Sequence, residues 1–346
     1  MHGGDVYRNQ VHMDFSVNVN PLGIPRSVKD AMEQGILEAQ RYPDALCEKL
    51  RAWLADRFGI PSDQILCGNG ASELIMAICR WKMPRTAILV GPAFSGYQRA
   101  LDAVGTAKEF FMLRKEDGFA FTEEQSDLLC KELEEKKPDL LFMTSPANPT
   151  GRIVPKEILI TIARQCERTH TILVLDECFM EMTQNPRDHS MASELSVFSS
   201  LLILRAFTKS FSIPGIRLGY LLCGNKGMAN GIAAQLPEWN VSVVAQKAGI
   251  AALAEEAWLA QAREVIHRER TFLEAGLESL GVKVFPSDAN FLLFSWKNDT
   301  LYEKLLEKGI LIRDCRDFEG LGVGYYRVAV RTHEENEALL HVMRTL

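Results

Sequence analysis

The sequence predicts an α/β fold, with a mostly parallel sheet in a large domain and a smaller α+β domain after it. Three observations predict this. Between residues 65 and 223, short apolar runs alternate with helical stretches, the pattern of a sheet with helices on both faces. Polar residues stand at the carboxyl ends of three of those runs: Asp176 directly, and Asn148 and Lys209 in the loops that follow. After Gly224 the alternation stops, and one long helical stretch precedes a group of short strands. The predicted division is an amino-terminal arm over 1–40 that packs with the small domain, a large domain over 41–225 and the small domain over 226–346.

The arm carries a dense polar motif, Asp14-Phe15-Ser16-Val17-Asn18-Val19-Asn20-Pro21-Leu22-Gly23, with a turn at Pro21 and Gly23. It is either a surface arm or one that lies over a site. Helices are predicted over 25–38 and 45–58, separated by Arg41-Tyr42-Pro43-Asp44. Ile65–Cys67 is a short strand, and Gly68-Asn69-Gly70-Ala71-Ser72 leads into a helix over 73–81. Strands follow over 86–90, 106–113, 139–144, 171–175, 201–204 and 218–223, with helices over 94–103 and 155–169. Residues 242–281 are predicted helical, then strands over 282–285, 290–294, 310–312 and 325–330, with helices near 299–308 and 334–346.

With 346 residues, the chain is long enough for one large domain and a smaller one. Its net charge of −6 argues against nucleic acid as the main partner. No apolar run approaches the roughly 18 residues needed to span a bilayer, and the first residues lack the regions of a signal peptide. The expected compartment is the cytoplasm. The eight cysteines form no C-x-x-C pair and the seven histidines no H-E-x-x-H pattern, so reduced thiols and no metal are expected.

Function is argued from what stands at the strand ends. Singly, each residue has an ordinary role: a solvated lysine, an Asn-Pro turn, an aspartate that caps a helix. Taken in order they match one chemistry, that of pyridoxal phosphate. Lys209 supplies an amine for the cofactor's aldehyde. Asp176 supplies a carboxylate for its pyridine nitrogen, and Asn148 a donor for its O3′ oxygen. The helix start at Gly70, Ala71 and Ser72, with Thr208 and Arg217, can hold its phosphate, although an ordinary tight turn would look the same. Phe94 is placed to stack on the ring.

These residues resemble the fold-type-I, aspartate-aminotransferase-like pyridoxal-phosphate enzymes, the class I and II aminotransferase family. Asn148, Asp176, Lys209 and Arg217 are spaced 28, 33 and 8 residues apart. The motifs Asn148-Pro149-Thr150-Gly151, Thr208-Lys209 and Arg217-Leu218-Gly219 are similar to those of that family over essentially the whole chain. The resemblance implies a homodimer in which Tyr42 reaches the partner's cofactor phosphate. Two branches are most similar, the threonine-phosphate decarboxylases and the histidinol-phosphate aminotransferases. The His2-Gly3-Gly4 start, the arm motif and Phe179, where most aminotransferases have a tyrosine, resemble the first. The resemblance therefore implies a small phosphorylated amino acid as substrate, bound by His2, Asn20, Arg313, Arg327 and Arg331. Arg327 is at the family's carboxylate-binding position. Arg331 lies four residues further on, on the same face if the strand continues, or else pairs with an acid on the small domain. Transamination and a catalytically idle binding protein are the alternatives.

Overall fold

The computed structural model describes residues 3–297 and 299–346. The thirteen strands among the described residues are, in chain order, β1 (Met13–Asp14), β2 (Ile65–Gly68), β3 (Thr86–Gly91), β4 (Ala107–Met112), β5 (Leu140–Thr144), β6 (Ile172–Asp176), β7 (Leu201–Ala206), β8 (Gly219–Cys223), β9 (Lys283–Val284), β10 (Phe291–Ser295), β11 (Ile310–Leu311), β12 (Arg313–Asp314) and β13 (Tyr325–Ala329). Seven of them form the large sheet, in the order β2-β8-β7-β6-β5-β3-β4. The sheet is parallel from β4 to β7, and β8 runs antiparallel to both of its neighbours. A parallel return needs a long crossover. Between β7 and β8 the twelve residues 207–218 form only the four-residue helix Phe207–Ser210 and a single 3₁₀ turn at Pro214–Ile216, with no crossover helix, so the chain comes straight back.

Both faces of this sheet are covered, as the apolar runs predict. Successive residues of a strand point to opposite faces. Leu141 and Met143 pack into one core with the helix Lys156–Thr169, while Leu140 and Phe142 pack into the other with the helices Ala71–Lys82 and Ser95–Ala103. The helix Glu123–Lys136 was not anticipated, because only Leu129 and Leu133 among its apolar residues are fully buried. Its start was nonetheless written in the sequence: Thr122 and Gln125 make a reciprocal capping box.

The small sheet has the order β12-β13-β10-β9 and is antiparallel throughout. The helices Lys226–Ala233 and Val243–Leu253 pack with the large sheet's cores, not with this one. The change of pattern at Gly224 thus marks the end of strand alternation and not a break in packing. Among the described residues, no helix is long and apolar enough to cross a membrane.

The arm joins the two parts. Its strand β1 pairs in parallel with β11, and Phe15 is fully buried in the small domain's core. The Phe15 carbonyl also accepts from the Ala329 N–H at 2.8 Å. Five residues on, Asn20 binds the large domain. Its backbone N–H donates to the Lys209 carbonyl at 2.9 Å, and its side-chain amide donates to the Ser210 carbonyl at 2.8 Å. Asn20 was expected to touch substrate. It is instead buried outside the cavity described below, with its side-chain oxygen accepting from the Leu22 N–H at 2.9 Å.

Candidate active site

A cavity of about 260 Å³ opens at the carboxyl ends of β5, β6 and β7. Thr144, Asp176 and Ala206, the last residues of those strands, line it. Phe94 and the start of the helix Ala71–Lys82 form a second wall. Arg313 of β12, Arg327 of β13 and the arm residues Gly3, Ser16 and Asn18 form a third.

Asp176 is 7% exposed and keeps both carboxylate oxygens engaged. Its Oδ1 accepts from the Cys178 N–H at 2.9 Å, and its Oδ2 accepts from the Tyr97 hydroxyl at 2.6 Å. That hydroxyl also lies 3.0 Å from Thr144 Oγ1. Burial, then the charge of Asp176, pushes the Tyr97 phenol far up, so it stays a donor. The Tyr97 ring stacks on Phe142 at 5.1 Å and meets Phe94 edge-on at 5.6 Å. Sequence reasoning missed Tyr97. The available signal was a tyrosine on the buried face of a helix, three residues after Phe94, whose hydroxyl needs a partner.

Lys209 follows β7 in the short helix Phe207–Ser210. Its amine has no hydrogen-bond or ion-pair partner among the described residues. Burial lowers its pKa to about 8, helped by the charges of Arg327 and Arg217 and opposed by Cys178 and Asp176. Arg217 reaches the same corner, where glycines make room for it. Gly70 has φ of +77°, and a Cβ there would run into the Arg217 guanidinium. A Cβ on Gly219 would stand 2.7 Å from the Ala71 nitrogen. The first N–H groups of the helix at Ala71 and Ser72 have no partner within the helix, and beside them stand Arg217 and the Thr208 hydroxyl.

Across the cavity, Arg327 is 6% exposed and has no ion pair among the described residues. Its Nη2 donates to the Ser16 carbonyl at 2.8 Å, and its Nη1 donates to Asn148 Oδ1. With its amide oxygen turned toward the guanidinium, Asn18 accepts from Nε at 3.3 Å and Nη1 at 3.2 Å. The ring of Phe291 lies under the guanidinium at 5.4 Å. Burial lowers the Arg327 pKa to about 10. Arg313, equally buried, is held bidentate by Asp317 at 2.7 and 3.0 Å.

The cavity therefore brings together Ala71, Ser72, Phe94, Asn148, Asp176, Thr208, Lys209, Arg217, Arg313 and Arg327. Gly70 stands just behind Arg217. Three expected residues are elsewhere. Asn20 supports the arm. Arg331 lies beyond β13, which ends at Ala329, so the even-spacing argument fails. Its Nη2 donates to Glu335 Oε1 at 2.7 Å, the acid pairing that was the alternative. Tyr42 is 79% exposed and stacks on Trp239 at 4.6 Å, away from this cavity. His2 lies outside the described residues.

The donor set fits pyridoxal phosphate: an unpaired amine, a fixed carboxylate and a helix start with a guanidinium in a cradle that a Cβ would fill. Two expectations follow. Burial destabilises the ammonium form of Lys209, so its amine is free at lower pH than an exposed lysine's. The rate of pyridoxal phosphate capture by the cofactor-free protein should rise through about pH 8. A stopped-flow absorbance profile that rises only above about pH 10, the ordinary lysine range, would count against it. Tyr97→Phe keeps the ring packing and removes one hydrogen bond to a carboxylate. It should cost about 1.5–3 kcal/mol in urea unfolding, and an unchanged unfolding curve would show that the bond contributes nothing.

The family model for aminotransferase class I and II matches residues 10–343. The chain is 35% identical over 337 residues to the threonine-phosphate decarboxylase of Salmonella typhimurium, covering 96% of this chain and 91% of that one. It is 33% identical over 334 residues to a histidinol-phosphate aminotransferase of Carboxydothermus hydrogenoformans, covering 94% and 90%. Among solved structures, the histidinol-phosphate aminotransferase of Clostridium acetobutylicum aligns with a TM-score of 0.88 at 29% identity, covering 96% of this chain and 98% of that one. With the fold, the strand-end residues and the family model in agreement, the chain belongs to the class I and II aminotransferases, and its cofactor is pyridoxal phosphate.

Proposed function

We propose that the chain decarboxylates L-threonine O-3-phosphate to (R)-1-amino-2-propanol O-2-phosphate. The observation that carries this is Arg327, a buried guanidinium without an ion pair among the described residues, facing the same cavity as Lys209 and Asp176. A buried charge needs a partner. A substrate carboxylate supplies one, and a planar fork binds its two oxygens together. Arg313, the second guanidinium on that wall, is already held by Asp317 through Nη2 and would add a weaker pull on the substrate's phosphate. The 35% identity to a threonine-phosphate decarboxylase supports the same substrate.

Pyridoxal phosphate, when bound, supplies an aldehyde for the substrate amine and an electron-poor ring that takes up the charge left at Cα. Lys209 would hold its aldehyde carbon, and Asp176 would face its ring nitrogen. Ala71, Ser72, Thr208 and Arg217 would hold its phosphate, Phe94 would cover the ring, and Asn148 would donate to O3′. Asn148 also accepts from Arg327, so the substrate's carboxylate site and the ring's oxygen site share one bond network. Tyr97 and the Cys178 N–H hold Asp176 in one orientation. Lys209 lines the same cavity and, in its ammonium form, would be placed to donate a proton to the substrate's Cα. The arm and the ring of Phe179 limit the access of water.

The test is release of CO₂ from threonine phosphate, set against amino transfer from histidinol phosphate to 2-oxoglutarate. The 33% identical aminotransferase makes the second reaction the alternative. CO₂ release without amino transfer is expected, and the reverse would replace the proposal. Arg327→Met should reduce kcat/KM by about 2–5 kcal/mol, the range for truncating a buried charge contact. Arg331→Gly should leave it unchanged.

A homodimer belongs to the same proposal. Tyr42 and Trp239 stack on each other on the surface, and Ile36, Leu37, Leu46 and Trp53 are exposed on nearby helices and turns. Tyr42 would then reach the partner's cofactor phosphate. Sedimentation equilibrium should give twice the chain mass at assay concentrations, and a fully active monomer would refute it.

A further inference from the structure

We propose that Arg205 and Glu177 form a positioning pair beneath the cavity, which fixes the cofactor's two anchors, Asp176 and Lys209, relative to each other. Glu177 follows Asp176 directly, and Arg205 stands four residues before Lys209. Their strands are parallel neighbours with Asp176 opposite Leu204, and the Glu177 N–H donates to the Leu204 carbonyl at 2.9 Å. Alternation along the chain turns Asp176 toward the cavity and Glu177 away from it. Neither Glu177 nor Arg205 lines the cavity, so neither can touch cofactor or substrate.

The pair is buried, with side-chain exposures of 4% for Arg205 and 0% for Glu177. Arg205 Nη2 donates to Glu177 Oε2 at 2.5 Å and to Ser190 Oγ at 2.7 Å, and its Nη1 donates to Glu181 Oε1 at 2.9 Å. Ser190 Oγ donates to the same Glu177 oxygen at 2.8 Å, and the Met191 N–H donates to the other at 2.8 Å. Four segments therefore meet at one ion pair: the end of β6, β7, the turn at 190–191 and the turn at Glu181. Arg57 extends the connection from Glu181 to Glu256, at the start of the helix Glu256–Glu278.

Stability alone does not account for charges in this place. Burial disfavours the Arg205 cation, and Glu177 and Glu181 more than reverse that effect. An apolar pair of the same volume would commonly be as stable. Such a pair would not supply direction. A planar guanidinium whose two terminal nitrogens are held by two different carboxylates, Nη2 by Glu177 and Nη1 by Glu181, is fixed in distance and angle together. Here it ties the residue after Asp176 to the strand that delivers Lys209. A small shift between those two groups is enough to spoil an aligned site.

The inference rests on the cofactor of the family and not on the proposed substrate, so its main readout uses no substrate. The cofactor-loaded protein is titrated with pH, and the absorbance change belonging to the cofactor's linkage at Lys209 is followed. Arg205→Lys keeps the charge and removes the fork. Ser190→Ala removes one bridging hydroxyl and disturbs folding least. Arg205→Lys should move the titration midpoint by about half a pH unit or more and speed cofactor release. Ser190→Ala should move it the same way by less. A pair that served only stability would lower the melting temperature of both variants and leave the midpoint and the release rate at parental values. That result overturns the proposal. If Arg205→Lys does not fold, Ser190→Ala decides by the same two outcomes.

Discussion

Asp176 closes a strand in which all five residues are buried, so its charge stands where water is scarce. A carboxylate in such a place needs donors, and the rest of the site follows from where those donors come from. One is the backbone of Cys178, in the turn that Asp176 itself begins. The other is Tyr97, which belongs to a helix on the far side of β5 and is fixed by stacking on Phe142. The position of the acid is therefore set by packing across three elements. The same helix start carries Phe94, whose ring meets Tyr97 edge-on and faces the cavity. One buried hydrogen bond thus ties Asp176 to the packing that fixes Phe94.

The charges around the cavity are unbalanced in a useful way. Lys209, Arg217, Arg313 and Arg327 all line it, while Asp176 is the acid that lines it among the described residues. Burial, helped by the neighbouring cations, draws Lys209 down to about 8, which makes its amine a nucleophile near neutral pH. The same excess of positive charge favours ligands with several negative groups. A phosphorylated cofactor and a phosphorylated amino acid meet that condition together. The cations are spread over three walls, so each anionic group has its own place.

The large sheet was legible because its strands are short and mostly apolar runs bounded by polar turns; the edge strand β4 carries the charges of Lys108 and Glu109. The residues at its carboxyl edge were legible for a related reason: Asn148, Asp176 and Lys209 each follow such a run, and parallel strands deliver their ends to one edge. What was not legible depended on contacts between distant segments. Tyr97 reads as a core tyrosine until β5 and β6 are placed beside its helix. Arg331 reads as a strand residue, but the last in-register bond is that of the Val330 N–H to the Asn290 carbonyl, and the Arg331 N–H turns to the Asn336 side chain, so the chain leaves the ladder there. Asn20 and Asn18 look alike in the motif. They differ because the arm turns between them, leaving Asn18 beside Arg327 and Asn20 against Ser210.

That turn also explains why the arm belongs to the chemistry. A buried arginine without an acid must have its charge spread over oxygen dipoles, and Arg327 finds them in Ser16, Asn18 and Asn148. Two of these come from the arm and one from the loop after β5, so the guanidinium is shared between the small domain, the arm and the large domain. The arm is in turn fixed at both ends, by Phe15 in the small domain's core and by Asn20 on the backbone of Lys209 and Ser210. A carboxylate that binds Arg327 therefore meets a group whose orientation is already set by the segments that carry Lys209 and Asn148. Dipoles neutralise a cation less completely than an acid would, so the site keeps its attraction for an anion while remaining stable before the anion arrives.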